Sequence, residues 1–277
     1  MRPQLGILSL AIIQMLQAPK EFLASDATTR FSSRVQDYVR FRPGYPSGLV
    51  NLLANEAALM PDSLVADIGA GTGLLSRTFL DAGYSVVGVE PNREMREAGA
   101  ALLAGYPRFR SVDGRAEAIP LPDHSVDLAV AGQAFHWFDV PRARTEWVRI
   151  FKPDAVAALI WNERHIADAF MQEVEDLIDH YASVLDPDGS IREGGRSRIP
   201  AFFAPASFHK NEFPNAQHFS FEGLLGRIAS CSFVPNRSDA DYPRMEAGLR
   251  RIFDRHQSGG EVIFTYQTQV YWGRLPG

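Results

Sequence analysis

One segment restricts the fold of this 277-residue chain more than any other: a short apolar run that passes through three glycines into a helix. Leu64–Ile68 reads as a buried strand, and the glycines of Asp67-Ile-Gly-Ala-Gly-Thr-Gly73 follow it directly. Glycine tolerates positive φ and lets the backbone approach a ligand closely where a helix begins. A strand, a glycine loop and a helix in this order indicate an α/β protein that binds a ligand at the end of a parallel strand.

The rest of the chain repeats the alternation of strand and helix. Strands that are apolar on both faces occur in parallel sheets covered by helices, so we predict a doubly wound α/β fold. A final run, Val262–Trp272, alternates with a period of two and predicts a last strand with no helix after it. The other predicted strands are Val86–Val89, Phe109–Val112, Val126–Ala131 and Val156–Trp161.

Several flanking segments are predicted from their composition. Ser47 is the expected N-cap of a helix that runs through Met60, and apolar spacing predicts an amphipathic helix from Phe170 to Leu185. Asp186–Pro200 is rich in Gly, Pro and Ser and reads as a surface loop. Residues 1–30 are treated as an N-terminal extension without a targeting assignment, because their apolar run is too short to span a bilayer.

Composition excludes several classes of protein. A formal net charge of −5 disfavours a nucleic-acid binder that tracks phosphates with a basic face. A single cysteine, Cys231, excludes an internal disulfide and a cysteine-based zinc cluster, and it fits a reducing, cytoplasmic location. The histidines are scattered, so no metal site is expected. Nor is there a G-x-S-x-G elbow or a phosphate-binding P-loop.

The glycine loop is compatible with two kinds of ligand, and its neighbours discriminate between them. The spacing is G-x-G-x-G, with Leu74 where a dinucleotide fingerprint has its third glycine. Asp67 would repel a pyrophosphate but suits a ligand with an amino group and a sulfonium. Glu90 ends the second strand, where a carboxylate can accept hydrogen bonds from both ribose hydroxyls. The combination favours S-adenosylmethionine over NAD.

These motifs resemble the class I S-adenosylmethionine-dependent methyltransferases, in the ubiquinone/menaquinone-type and trans-aconitate-type branch. The resemblance covers about 31–153 by motif and implies a Rossmann-like, mostly parallel seven-stranded sheet with an antiparallel last strand. It also implies one methyltransferase domain over 31–277, in which 165–260 adds a helical and loop cap on the substrate side. The matching segments are Asp67–Gly73, Gly88–Asn92 with Met95, Gly114–Pro122, Ser125–Leu128 and Phe151–Asp154.

The resemblance implies specific contacts with the methyl donor. The methionine portion would lie against Asp67 and the glycine loop, and the ribose against Glu90. Arg115 stands where many relatives carry an aspartate that accepts from the adenine amino group, and Glu117 is the candidate to replace it. The implied cofactor-binding set is Asp67, Gly69, Ala70, Gly71, Gly73, Glu90, Pro91, Met95, Ala116, Glu117 and Gln133.

The acceptor side is expected beyond the fourth and fifth strands, since ligands sit off the carboxyl ends of parallel strands. His136 is the candidate general base, with packing of the pocket floor as the alternative, because many methyl transfers need only alignment. Tyr38 and Arg42 resemble a segment that closes over the donor. The remaining candidates for substrate contact are Trp137 and Asn162.

The predicted function is therefore an S-adenosylmethionine-dependent methyltransferase that acts on a small-molecule acceptor. A donor-binding protein without transferase activity is the alternative of a different class. An NAD-dependent dehydrogenase is opposed by the glycine spacing and by Asp67. No nucleic-acid partner and no stable membrane insertion are expected. The oligomeric state stays open, a homodimer included, and so do the acceptor and the atom that is methylated.

Overall fold

The computed structural model describes residues 40–185, 195–231 and 233–276, and these form a seven-stranded sheet with helices on both faces. The strand order is β3-β2-β1-β4-β5-β7-β6. Neighbours among the first five strands are parallel, whereas β7 is antiparallel to both β5 and β6. The predicted α/β fold with an antiparallel last strand is confirmed.

The strands are Leu64–Ile68 (β1), Ser85–Val89 (β2), Phe109–Val112 (β3), Val126–Gly132 (β4), Phe151–Arg164 (β5), His209–Phe219 (β6) and Val262–Gly273 (β7). The α-helices are Ser47–Glu56 (α1), Leu74–Asp81 (α2), Arg93–Leu102 (α3), Val140–Ile150 (α4), Ala169–Leu185 (α5), Ile199–Phe203 (α6), Phe221–Ala229 (α7) and Tyr242–His256 (α8). Short 3₁₀ turns cover Phe135–Trp137 and Arg196–Arg198.

The predicted strands and helices are present with small shifts of their ends. The predicted face of β7, which includes Phe264, Tyr266 and Val270, is buried. One local prediction was wrong: Ser47 is the first residue of α1, and Pro46 occupies the N-cap position without a side-chain cap. Pro46 has extended backbone angles there, so the helix begins at Ser47, one residue earlier than it would with Ser47 as its N-cap. Tyr38, the extension 1–30 and most of the loop Asp186–Pro200 lie outside the described residues.

The segment 165–260 contributes both helices and a strand. Its strand β6 pairs along its whole length with β7 and forms one edge of the sheet. The antiparallel pair of β6 and β7 extends past the carboxyl end of β5. Tyr266 of β7 is opposite Arg164, the last residue of β5, and β7 begins four residues earlier, at Val262. Helices α5, α7 and α8 pack on this extension around Phe264 and form a separate apolar cluster above the sheet edge.

Within the described ranges, no helix has the length and apolar character needed to cross a membrane. The same ranges contain no group of three or more His, Cys, Asp or Glu side chains placed to hold a metal ion.

Candidate functional site

The glycine loop between β1 and α2 adopts backbone angles that favour glycine. Gly69, Gly71 and Gly73 have φ of +73°, +57° and +80°. A Cβ on Gly69 would lie 2.6 Å from the Cβ of Ala134, and one on Gly73 would lie 2.5 Å from Cδ1 of Leu103. At Gly71 the nearest atom would be Cε of Met95 at 3.9 Å. The outer glycines are therefore required by packing, whereas Gly71 leaves an open cradle.

Asp67 lies beneath this loop as a buried carboxylate. Its Oδ2 accepts a hydrogen bond of 2.7 Å from Oγ of Ser76 in α2. Its Oδ1 is also buried and has no hydrogen-bond partner within the described ranges. Burial raises the pKa of Asp67 to about 7 from its ordinary value near 3.8, and the Ser76 hydrogen bonds only partly offset it. The missing partner of Oδ1 indicates a ligand group that donates a hydrogen bond or carries a positive charge.

Glu90 holds the loop from the end of β2. Its Oε2 accepts from the Gly71 N–H and its Oε1 from the Asn92 N–H, both at 2.8 Å. Burial raises the pKa of the Glu90 carboxyl, although these two N–H donors oppose the shift. Each carboxylate oxygen keeps a further lone pair, so both remain able to accept from a pair of ligand hydroxyls.

Arg96 of α3 was not predicted, and it fixes the position of the strand end that carries Glu90. One guanidinium nitrogen donates to the carbonyl oxygens of Glu90 and Pro91, at 2.8 and 3.2 Å. The other pairs with Asp113 beyond β3 at 3.1 Å. No sequence motif identifies the role of Arg96, because its partners are two backbone carbonyls and Asp113, which is 17 residues away in the chain.

The predicted adenine contacts surround the same cradle. Met95 lies in the first turn of α3, where its N–H donates to Oδ1 of the N-cap Asn92, and its side chain is buried. Ala116 is buried in the loop after β3. Glu117 accepts a hydrogen bond of 2.8 Å from the Asp139 N–H, so its carboxylate ties that loop to the start of α4.

Gln133 directly follows β4 and has a conformation that only a minority of non-glycine residues adopt. Its φ is +55°, and its side-chain amide donates to the carbonyl oxygen of Asn162 at 3.1 Å. Backbone strain of this kind persists where the surrounding structure enforces it, often at functional sites. The strain directs Gln133 toward the end of β5.

The side chain of Asn162, two residues before the end of β5, forms several hydrogen bonds within the protein. Its Oδ1 accepts from the Thr268 hydroxyl at 2.5 Å and from Nδ2 of Asn215 at 3.3 Å. Its own Nδ2 donates to the carbonyl oxygen of Gly44 at 3.1 Å. These bonds join the N-terminal segment to β5, β6 and β7, so Asn162 acts here as a structural junction at the rim of the cleft.

Two aromatic side chains of the 3₁₀ turn Phe135–Trp137 lie beyond β4. The rings of His136 and Trp137 are half-buried and in contact, with their centroids 4.6 Å apart and their planes tilted by 46°. Arg198 holds the turn from the other side by donating to the carbonyl oxygens of His136 and Phe138, both at 3.0 Å. His136 is thus held by a rigid turn at the carboxyl edge of the sheet.

The segment Phe41–Tyr45 crosses this edge. Tyr45 lies over the end of β4, since a Cβ on Gly132 would be only 2.5 Å from its hydroxyl. Arg42 donates to the carbonyl oxygen of Ser230 at the end of α7, at 2.8 Å, and so points toward the cap. The segment therefore connects the region of the glycine loop with the helices above β7.

The residues at the carboxyl ends of β1 and β2 fit S-adenosylmethionine. An unpartnered buried carboxylate oxygen on Asp67 suits a cationic group, the two oxygens of Glu90 suit ribose hydroxyls, and Gly71 leaves room for close approach. A pyrophosphate at the same place would face two buried carboxylates, so these two side chains disfavour the binding of a dinucleotide.

Comparison with known proteins agrees with this geometry. The methyltransferase domain family matches residues 66–159. An uncharacterized methyltransferase of Mycobacterium tuberculosis (strain H37Rv) is 34% identical over 208 residues, which are 75% of this chain and 79% of the relative. An uncharacterized methyltransferase of Schizosaccharomyces pombe is 28% identical over 245 residues, which cover 87% and 95% of the two chains.

Solved structures show the same fold. A candidate type II methyltransferase from Anaeromyxobacter dehalogenans has a TM-score of 0.66 at 25% identity, covering 86% of this chain and 100% of that one. The YcgJ protein of Bacillus subtilis has a TM-score of 0.54 at 21% identity, covering 84% and 100% of the two chains.

Proposed function

Because the chain belongs to the class I S-adenosylmethionine-dependent methyltransferases, we propose that it binds S-adenosylmethionine at the glycine loop and methylates a small-molecule acceptor. One observation carries the proposal for the donor: the buried Oδ1 of Asp67 has no partner within the described residues, beside a loop that is open at Gly71. Burying a carboxylate oxygen without a partner lowers the stability of the fold, and the binding of a cationic ligand at this oxygen would explain why the aspartate is there.

The proposed division of roles follows the two halves of the cleft. Asp67 and the backbone at Gly71 hold the methionine portion, and Glu90 holds the ribose. When bound, S-adenosylmethionine supplies an electrophilic methyl group on its sulfonium. The chain's own contribution is to align the acceptor with that group and to exclude water.

His136 is the proposed base where the acceptor needs one. It lies beyond β4 on a turn fixed by Arg198, which keeps its ring at the carboxyl edge of the sheet. An acceptor that already carries an anionic nucleophile needs no proton removal, and His136 and Trp137 would then shape the floor of the pocket. We also propose that the segment 165–260 walls this pocket and that the chain belongs to the ubiquinone/menaquinone-type and trans-aconitate-type branch.

The donor assignment is tested by calorimetric titration of the full chain with S-adenosylmethionine, S-adenosylhomocysteine and NAD. We expect micromolar binding of both adenosyl ligands and none of NAD. Asp67→Ala should weaken S-adenosylhomocysteine binding by about 1–3 kcal/mol, the usual effect of losing a charge-assisted hydrogen bond. Asp62→Ala is the matched control, because Asp62 is exposed just before β1.

The outcomes separate the competing functions. Binding of NAD alone would replace the proposal with a nicotinamide-dependent enzyme. Binding of S-adenosylmethionine without methyl transfer to any member of a broad acceptor panel would favour a donor-binding protein. Equal weakening by the Asp62 and Asp67 variants would refute the site assignment.

A further inference from the structure

A buried arginine without a carboxylate partner lies where the cap meets the sheet. Arg227 of α7 is only 3% exposed. Its Nε donates to the hydroxyl of Tyr266 at 2.8 Å, and one terminal nitrogen donates to Sγ of Cys231 at 3.2 Å. Within the described ranges, no carboxylate forms an ion pair with Arg227, and its other terminal nitrogen has no hydrogen-bond partner. Buried arginines are normally paired with an acid, because desolvating an unpaired charge costs several kcal/mol.

The guanidinium is held in a fixed orientation. Its centre lies 5.6 Å from the ring centroid of Phe264 and 5.5 Å from that of Tyr266, in cation–π contact with both. The Tyr266 hydroxyl donates onward to Gln217 at 2.8 Å, and the Gln217 amide donates to the carbonyl oxygen of Phe41 at 3.3 Å. A Cβ on Gly226 would be 2.2 Å from the Phe41 ring, so α7 is packed directly against this segment. These contacts therefore fix the guanidinium of Arg227 in one orientation before any ligand binds.

Two more arginines lie close to Arg227, and together the three form what we call the arginine cluster: Arg42, Arg164 and Arg227. Arg164 is paired with Glu175 through two hydrogen bonds of 2.5 and 2.9 Å. Burial acts to raise the pKa of Cys231, yet the charges of Arg227, Arg42 and Arg164 outweigh it and lower that pKa. The positive charge of Arg227 therefore acts on Cys231 together with that of Arg42 and that of Arg164, which is itself paired with Glu175. Arg42 and Arg164 are partly exposed, whereas Arg227 is buried.

The arginine cluster lies on the same edge of the sheet as the proposed donor site. Arg164 ends β5 opposite Tyr266 of β7, and Asp67 is near the end of β1, with only β4 between β1 and β5. Neighbouring strands are about 4.8 Å apart, so β1 and β5 are about 10 Å apart across the sheet. Through β4, Asp67 is level with Ala158, so Arg164 lies six residues further along β5, which is about 20 Å at 3.3 Å per residue. Gln133, Asn162 and the segment Phe41–Tyr45 occupy the space between them.

We propose that Arg227 binds an anionic group, a carboxylate or a phosphate monoester, of the methyl acceptor, with Arg42 and Arg164 adding to the positive field. The proposal rests on the proposed methyltransferase function and narrows its substrate to small acidic molecules. A planar guanidinium with an unused terminal nitrogen suits either anion, since both accept hydrogen bonds from the arginine fork. The acceptor's reactive atom would then extend along the edge toward the end of β4.

The first test is thermal unfolding of the full chain saturated with S-adenosylhomocysteine, at constant ionic strength. Malonate and inorganic phosphate probe the two anions, and malonamide is the neutral control. We expect a saturable rise in Tm with at least one anion and none with malonamide. The rise should disappear in Arg227→Gln and persist in Arg255→Gln, a control at an exposed arginine of α8. A response to malonate only would identify carboxylic acids, and one to phosphate only would identify phosphate esters.

The second test is transfer of a labelled methyl group to acceptors supplied in pairs, each acid beside its amide or its dephosphorylated form. We expect turnover of the acids, a KM at least tenfold higher in Arg227→Gln, and a smaller increase in Arg227→Lys, which keeps the charge but loses the fork. S-adenosylhomocysteine affinity must stay unchanged in both variants, which also reports that they fold.

Three results would overturn the inference: no saturable anion effect, the same effect in Arg227→Gln as in the unaltered protein, or equal turnover of acids and their neutral partners. Each of these leaves donor binding intact, so each is distinguishable from failure of the proposed function, in which S-adenosylhomocysteine itself does not bind.

Discussion

Replacing Asp67 by asparagine should make the protein more stable and its donor site weaker, and the gain in stability should depend on pH. The carboxylate is buried, one of its oxygens has no hydrogen-bond partner in the described part of the chain, and burial raises its pKa to about 7. In the unfolded chain the same group ionises near pH 3.8. Folding above that pH therefore requires either uptake of a proton or burial of a charge.

The sign and size follow from proton linkage. The folded state binds more protons than the unfolded state between about pH 4 and pH 7, so the free energy of unfolding falls as the pH rises through that window. A shift of about three pKa units, at 1.36 kcal/mol each, corresponds to about 4 kcal/mol by pH 7. At pH 5 the same relation gives about 2 kcal/mol, and above pH 7 the penalty levels off.

Asparagine removes this penalty while it keeps the shape of the side chain. Its amide oxygen still accepts from the Ser76 hydroxyl, which in the native protein donates to Oδ2 of Asp67 at 2.7 Å. Asp67→Asn should therefore exceed the unaltered protein in stability by an amount that grows from about 2 kcal/mol at pH 5 to about 4 kcal/mol at pH 7.

Urea unfolding followed by tryptophan fluorescence at pH 5, 6, 7 and 8 measures the difference, and equal m-values show that both proteins unfold to the same extent. The control Asp62→Asn, at an exposed site, should stay within about 0.5 kcal/mol at every pH. A stability difference between Asp67→Asn and the unaltered protein that does not change between pH 5 and pH 7 would refute the reasoning. Calorimetry at pH 7 should show weaker S-adenosylhomocysteine binding by the Asp67 variant despite its greater stability.

Three further predictions concern other parts of the site. Glu90→Gln should weaken S-adenosylhomocysteine binding by about 1–3 kcal/mol in calorimetry, because an amide presents only one acceptor atom for the two N–H groups and the ligand; unchanged affinity would remove Glu90 from the ribose site. Gly73→Ala should lower the urea midpoint, since φ is +80° and the added Cβ would lie 2.5 Å from Leu103, whereas a neutral effect would show that the loop can rearrange. His136→Ala should lower kcat at least tenfold with donor affinity unchanged; an equal loss of donor affinity would instead indicate a packing role.

Local patterns sufficed to predict most of the fold. The buried strands β1 and β4 are apolar runs interrupted by one aspartate each, and β7 alternates along one face, so each strand is identified by residues that lie next to one another in the chain. The glycine loop is marked equally well, because its backbone angles exclude other residues at Gly69 and Gly73. The predicted contacts of these residues with a donor remain predictions.

Strand β6 was not predicted from the pattern of its residues, and its position in the sheet explains why. Among the described strands it pairs with β7 alone, most of its side chains are partly or fully exposed, and it contains Pro214. Proline is tolerated on an edge because its missing N–H can face away from the sheet. Without the partner strand, the same residues read as a polar loop.

The sequence by itself determined the order of strands β1 to β5 and of the final strand β7, the glycine loop and the two acidic residues beside it, because these depend on periodicity, backbone conformation and short spacing. Only the tertiary structure decided that Arg96 anchors the end of β2, that Asn162 joins four segments, and that Arg227 is buried with no acidic partner among the residues that the structure describes. Their partners are distant in the chain or are backbone atoms and neutral side chains, and a hydrogen bond or an unpaired charge exists only once folding has brought the groups together.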